Sequence, residues 1–133
     1  MSEERMHIIA EQAVIIPDFP APGPVLDIGG GGEGLIGRVK GDRVIAIDVS
    51  AEELLEAPQG PVKLVMDARE LTFVEQSFSV VTALFSMMYI TRQDRRQVFR
   101  EVRRVLKSQG RLLIWDVVIP PIPERGKDIF VVP

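Results

Sequence analysis

Residues Val25–Gly34 read Val-Leu-Asp-Ile-Gly-Gly-Gly-Gly-Glu-Gly. An apolar run carries an acid, and five of the next seven residues are glycine. Glycine loses the most backbone entropy on folding, so such a cluster is costly unless the backbone must go where a Cβ cannot. The arrangement that needs it is a strand turning sharply into a helix, with a ligand lying close against the turn.

Downstream, the same kind of apolar run recurs. Val44–Asp48 (Val-Ile-Ala-Ile-Asp), Val62–Met66, a stretch within Phe78–Ser86, and Arg111–Ile119 are each short and apolar, as expected of strands buried on both faces. Helical signals separate them. Leu35, Ile36 and Val39 stand at helical spacing, and Gly41 stops that helix. Ser50 is an N-cap for Ala51–Glu56, whose Glu52 and Glu53 suit the positive end of the helix dipole. Residues Ala68–Gln76 read as a loop or a helical turn. Thr91 caps the longest helix, over Arg92–Lys107, with Asp94 three residues on as a variant capping box and Gly110 as the residue after its end. Val98, Phe99, Val102, Val105 and Leu106 make its apolar stripe. Its arginines read as a solvated face, because Asp94 and Glu101 interrupt them.

Upstream, the spacing predicts a helix over Glu3–Ile15, and Pro17, Pro20, Pro22 and Pro24 make an entry loop. At the other end Pro120, Pro121 and Pro123 terminate the fifth strand, and Asp128–Val132 starts another. Strands alternating with helices predict a doubly wound, mainly parallel α/β sheet, Rossmann-like, three-layered α/β/α, with strand order 3-2-1-4-5. One domain is expected over residues 1–133, with 1–24 as N-terminal helix and entry loop and 120–133 as a Pro-rich tail leading into a sixth strand.

The composition narrows the chemistry. The chain has 133 residues, 46% of them hydrophobic, and a net charge of −3. That suits one packed core and gives no general attraction to nucleic acid or acidic membrane. There is no cysteine, and His7 is the only histidine, so thiolate and multi-histidine metal sites are excluded. No apolar stretch approaches the ~20 residues of a membrane span. The polar N-terminus is unlike a signal peptide, and a cytoplasmic location is the default.

In an open α/β sheet, ligands bind beyond the C-terminal strand ends, at the switch in strand order. Asp27, Asp48 and Asp67 all fall at such ends, on three strands expected to be neighbours. Asp48 lies about 20 residues beyond Gly29, the spacing of an acid that accepts ribose hydroxyls. Gly29, Gly31 and Gly34 satisfy G-x-G-x-x-G, which by itself points to a dinucleotide. Asp27 opposes that reading, because it would put negative charge beside a pyrophosphate. A carboxylate there suits an ammonium or a sulfonium, and Asp67 suits an exocyclic adenine amine.

With these motifs in order, the chain resembles the class I S-adenosylmethionine-dependent methyltransferases of small-molecule type. Val-Leu-Asp-Ile-Gly-Gly-Gly-Gly resembles their first motif. Val-Ile-Ala-Ile-Asp-Val-Ser resembles their ribose-binding strand end, and Met-Asp-Ala-Arg-Glu-Leu-Thr-Phe their adenine-binding segment. Ser77–Val81 resembles the start of their fourth strand, and Glu101–Leu112 their passage into the fifth. The resemblance implies that S-adenosylmethionine is the cofactor and S-adenosylhomocysteine the product. It implies that Asp27 sits near the methionine ammonium and that Gly29, Gly30 and Gly31 admit the cofactor to the backbone. Asp48 would hold the ribose, Val49 pack on the adenine, Asp67 take its amine and Ala68 offer an amide. Leu84 and Phe85 would line the methionine end. It assigns no catalytic residue; where the acceptor must lose a proton, Tyr89 is the best-placed side chain.

Three departures accompany the resemblance. Glycine falls at Gly34 rather than at Glu33, and Ser79 stands where the family commonly has Asp. The chain also stops near the start of a sixth strand, where the family continues to seven. Either the chain is part of a longer one or something else covers the fifth strand, a second copy pairing along that edge being the expected partner. Methyl transfer to a small molecule leads. A non-catalytic cofactor- or partner-binding module is the alternative. An NAD-dependent oxidoreductase ranks third, since the Tyr-x-x-x-Lys pair it needs is absent: Gln93 stands four residues after Tyr89.

Overall fold

The five apolar runs become one parallel sheet. A computed structural model describes residues 6–8, 16–116 and 129–131. The order of elements is β1 (Met6–Ile8), β2 (Val25–Ile28), α1 (Leu35–Lys40), β3 (Val44–Asp48) and α2 (Ala51–Glu56). There follow β4 (Val62–Val65), β5 (Phe78–Leu84), α3 (Arg92–Val105), β6 (Leu106–Trp115) and β7 (Ile129–Val131). Contacts divide the chain into two compact units, Phe19–Asp116 and the chain ends Met1–Asp18 with Val117–Pro133.

The first unit holds the sheet β4-β3-β2-β5-β6, all strands parallel, which is the 3-2-1-4-5 order expected from the alternation. Helices flank it. All four residues of β2 are buried, which requires cover on both faces and explains a strand without polar alternation. The register sets Val25 beside Val44 and Val80, and Asp27 beside Ala46 and Thr82. On α3 the buried stripe is Val98, Val102 and Val105, one helical face packed with Leu26, Val81 and Phe78 into the core. Phe99 is outside it and exposed.

The capping signals hold. Ser50 Oγ accepts from the Glu53 N–H at 3.2 Å, and Thr91 Oγ1 from the Asp94 N–H at 3.2 Å. Two expectations for the Arg92–Lys107 helix are corrected. It ends at Val105, and Leu106 turns to extended backbone because it pairs with Phe78. Gly110 therefore lies inside β6 rather than capping the helix, and residues 107–110 stand opposite Ser79 alone, with Gln109 at φ +64°. The pull of a neighbouring strand outweighs the helix propensity of Leu and Lys. The arginine face is also less uniform than expected. Arg104 Nη1 and Nη2 donate to the carbonyls of Phe73 and Leu71, each at 2.7 Å, and Arg95 Nε donates to Met87 O at 3.2 Å.

The second unit overturns the helix expected at the N-terminus. Its described part, Met6–Ile8, is a strand pairing in parallel with Ile129–Val131. β7 thus joins a two-stranded sheet instead of extending the main one as a sixth strand. Ile8 is β-branched and suits a strand, but the pairing partner lies at the far end of the sequence and no local spacing announces it. The rest of that expected helix, and residues 117–119 of the fifth expected strand, lie outside the described residues.

Candidate functional site

The sheet order reverses between β2 and β5, which makes the crevice at their C-terminal ends the natural ligand site. Two tight turns meet there. Gly29 follows β2 at φ +70°, a left-handed conformation, and a Cβ on it would lie 2.5 Å from the Ser86 Cβ. Ser86 follows β5 and donates its hydroxyl to Ile28 O at 2.8 Å, tying the two strand ends together. Phe85, beside it, stands at φ +52°, and its backbone N–H donates a hydrogen bond to Trp115 O at 2.8 Å. Such backbone is uncommon for a bulky residue and clusters at functional sites.

A cavity of about 540 Å³ opens over these turns, within the usual range for a small-molecule site. Of the residues expected at the site, Gly29, Gly31, Asp48, Val49, Asp67, Ala68 and Phe85 line it. Asp27, Gly30 and Leu84 are not on its wall. Asp27 is 3% exposed and lies beneath the loop, with Oδ2 at 2.8 Å from where a Gly30 Cβ would stand. Its Oδ1 accepts the Thr82 hydroxyl at 2.9 Å. Burial pushes the Asp27 carboxyl up to about 7; the Thr82 bond opposes that rise and the nearby Asp48 charge adds to it.

The amides of the glycine loop are turned inward. Gly29 and Gly30 donate to Ile47 O at 2.9 and 3.0 Å, Gly32 to Glu53 O at 2.7 Å, and Gly31 to Asp48 Oδ2 at 3.3 Å. A phosphate cradle needs those N–H groups free and aimed at the ligand. Here carboxylates approach the loop instead: Glu53 Oε2 would stand 2.8 Å from a Cβ on Gly32. These loop amides therefore do not form a phosphate cradle.

The acids differ in what they still offer. Asp48 accepts one N–H on each oxygen, from Ser50 on Oδ1 at 3.0 Å and from Gly31 on Oδ2. A carboxylate has about four lone-pair positions, so one per oxygen remains, the number that a vicinal diol would use. Asp67, just past β4, is bound by Arg69, whose guanidinium holds its carboxyl below the usual carboxylate range.

Several wall residues were not assigned from sequence. Ser86 and Ile90 carried no local signal, Val98 was read only as part of the apolar stripe of α3, and Arg69 only as a member of the segment that holds Asp67; the crossing of distant segments brings them to one wall. Glu53 and Asp94 were read only as residues of helix first turns. For Glu53 a signal existed. In a capping box the third helical residue reaches back to the N-cap N–H. Here Asp48 Oδ1 already takes the Ser50 N–H, so the Glu53 carboxylate is left at the loop.

The fold and this crevice define an S-adenosylmethionine methyltransferase architecture. Residues 26–114 match the methyltransferase domain family, and the chain belongs to it, among the class I S-adenosylmethionine-dependent enzymes. It is 39% identical over 80 residues to a demethylmenaquinone methyltransferase of Thermotoga maritima, covering 57% of this chain and 34% of that one. It is 32% identical over 122 residues to the ubiquinone/menaquinone biosynthesis C-methyltransferase UbiE of Hahella chejuensis, covering 80% and 48%. The solved PH0226 protein of Pyrococcus horikoshii OT3 superposes with a TM-score of 0.63 at 30% identity, covering 69% of this chain and 48% of that one. The chain thus spans less than half the length of these relatives. No helix among the described residues is long and apolar enough to cross a membrane.

Proposed function

We propose that this chain binds S-adenosylmethionine in the crevice and takes part in methyl transfer to a small-molecule acceptor in the cytoplasm. The observation that carries the reading is the inward-turned glycine loop beside an Asp48 with acceptor capacity on both oxygens. It calls for a ribose and refuses phosphates, which an NAD-dependent oxidoreductase could not use.

Each residue has a distinct task. Asp48 accepts the ribose hydroxyls, and Val49, with Ala68, bounds the adenine. Asp27 sits under the loop as a partly protonated carboxyl, and a cationic amino group above it, reached directly or through water, draws it to the charged form. Phe85, at the strand end, encloses the methionine side. The cofactor supplies a methyl group already activated by a sulfonium leaving group. What the protein adds is orientation and the exclusion of water. Tyr89 is 84% exposed at the cavity edge, placed to meet an acceptor rather than to pack. The quinone methyltransferases among the relatives support a small organic acceptor.

Titration calorimetry with S-adenosylmethionine, S-adenosylhomocysteine and NAD tests the proposal. Binding of the first two and not of NAD is expected. Asp48→Asn should weaken S-adenosylhomocysteine by about tenfold or more, the worth of a hydrogen bond to a charged acceptor. Binding of NAD alone would sink the reading.

A further inference from the structure

Asp48 and Asp67 stand at the ends of neighbouring strands and line the same cavity, but Asp67 is the more heavily engaged. Asp67 Oδ1 accepts the Arg69 backbone N–H at 2.9 Å and Nε at 3.1 Å. Its Oδ2 accepts Nε at 3.0 Å and Nη2 at 2.7 Å. Three N–H groups make these contacts, the single Nε–H being shared between the two oxygens, so about one of the roughly four lone-pair positions of the carboxylate is left. An incoming amine must compete with the guanidinium for Asp67 while Arg69 stays where it is.

A second seat for the guanidinium is already at hand. Arg69 Nη1 lies 3.6 Å from Asp94 Oδ1, in the first turn of α3 on the facing wall. The Arg69 backbone is tethered to the same helix, its carbonyl accepting Gln97 Nε2 at 3.2 Å, while the side chain is about half exposed. The main chain is fixed and the guanidinium stands between two acids. Exposed ion pairs are individually weak, so exchanging one for the other is cheap.

We propose that Arg69 is a latch on the base-binding end of the site: it closes Asp67 in the free protein, and its transfer to Asp94 releases Asp67 for the exocyclic amine of the ligand. This rests on the S-adenosylmethionine reading above. Arg69 acts as a positioning and gating residue, and Asp94 acts only through it. Removing the latch therefore strengthens binding, whereas an ordinary contact residue would weaken it on removal.

Calorimetry of the full chain with S-adenosylhomocysteine, and with its counterpart bearing hydrogen in place of the exocyclic amine, provides the test. Arg69→Met is expected to tighten S-adenosylhomocysteine roughly two- to fivefold, the scale of one exposed ion pair. It should leave the counterpart unchanged. Asp94→Asn is expected to weaken S-adenosylhomocysteine by a similar factor, and to have no effect once Arg69 is Met. Weaker binding in Arg69→Met, equal tightening of both ligands, or an Asp94→Asn effect that persists without Arg69 overturns the latch alone. Failure of the wild-type chain to bind S-adenosylhomocysteine overturns the latch together with the reading beneath it.

Discussion

Asp27→Asn should gain stability on the wild type as pH rises, and be the more stable protein at neutral to alkaline pH. The carboxyl is 3% exposed, and burial raises its pKa from the ordinary 3.8 to about 7 in the fold. A raised pKa means that the folded state binds the proton more tightly than the unfolded chain. The wild-type protein therefore loses stability as pH rises from the unfolded value to the folded one, and the loss is complete above about 7. A rise from 3.8 to about 7, at ~1.4 kcal/mol for each tenfold change in proton affinity, makes the burden about 4 kcal/mol at neutral to alkaline pH. Asparagine carries no charge, and its oxygen can still accept the Thr82 hydroxyl. Its amide group needs a new partner, a penalty of about 1–3 kcal/mol that does not vary with pH. The diagnostic quantity is thus the slope and not the absolute difference. Urea unfolding of both proteins, from about pH 4 to about pH 8, should show the variant gaining about 4 kcal/mol on the wild type across that range. A difference that stays flat within about 1 kcal/mol would mean that Asp27 is ionised or solvated in the fold, and the proposed response to a cationic ligand would fall with it.

Two further substitutions probe the frame around the site. Gly29→Ala puts an L-residue at φ +70° with its Cβ 2.5 Å from that of Ser86, so the unfolding free energy should drop by about 2 kcal/mol or more; an unchanged denaturation midpoint would show that the two turns do not cross as described. Arg104→Ala strips the donors from the Leu71 and Phe73 carbonyls. It should lower stability by about 1–3 kcal/mol in the same assay, whereas Arg100→Ala, on the exposed face, should change it by under about 0.5 kcal/mol.

The alternation of strands and helices and the strand-end positions of the acids were legible in the sequence. Continuous apolar runs separated by helical spacings leave few ways to bury every strand, so the parallel sense follows from burial and right-handed crossovers. The distance from Gly29 to Asp48 is likewise local, spanning a single strand–helix–strand unit, and it put Asp48 at a strand end beside the glycine loop. Tertiary structure decided what those acids are free to do. Whether Asp27 faces the ligand or lies beneath the loop depends on Thr82, which is 55 residues away. Whether Gly29 has room depends on Ser86, and the end of α3 depends on Phe78 rather than on helix propensity. Asp67 was read correctly as an acid at a strand end. Its engagement by Arg69 is local, two residues along the chain, but Asp94 on α3 lies beside that pair only because the fold brings two distant segments to one cavity. A hydrogen bond is fixed by distance in space, and beyond one supersecondary unit the sequence does not carry that distance.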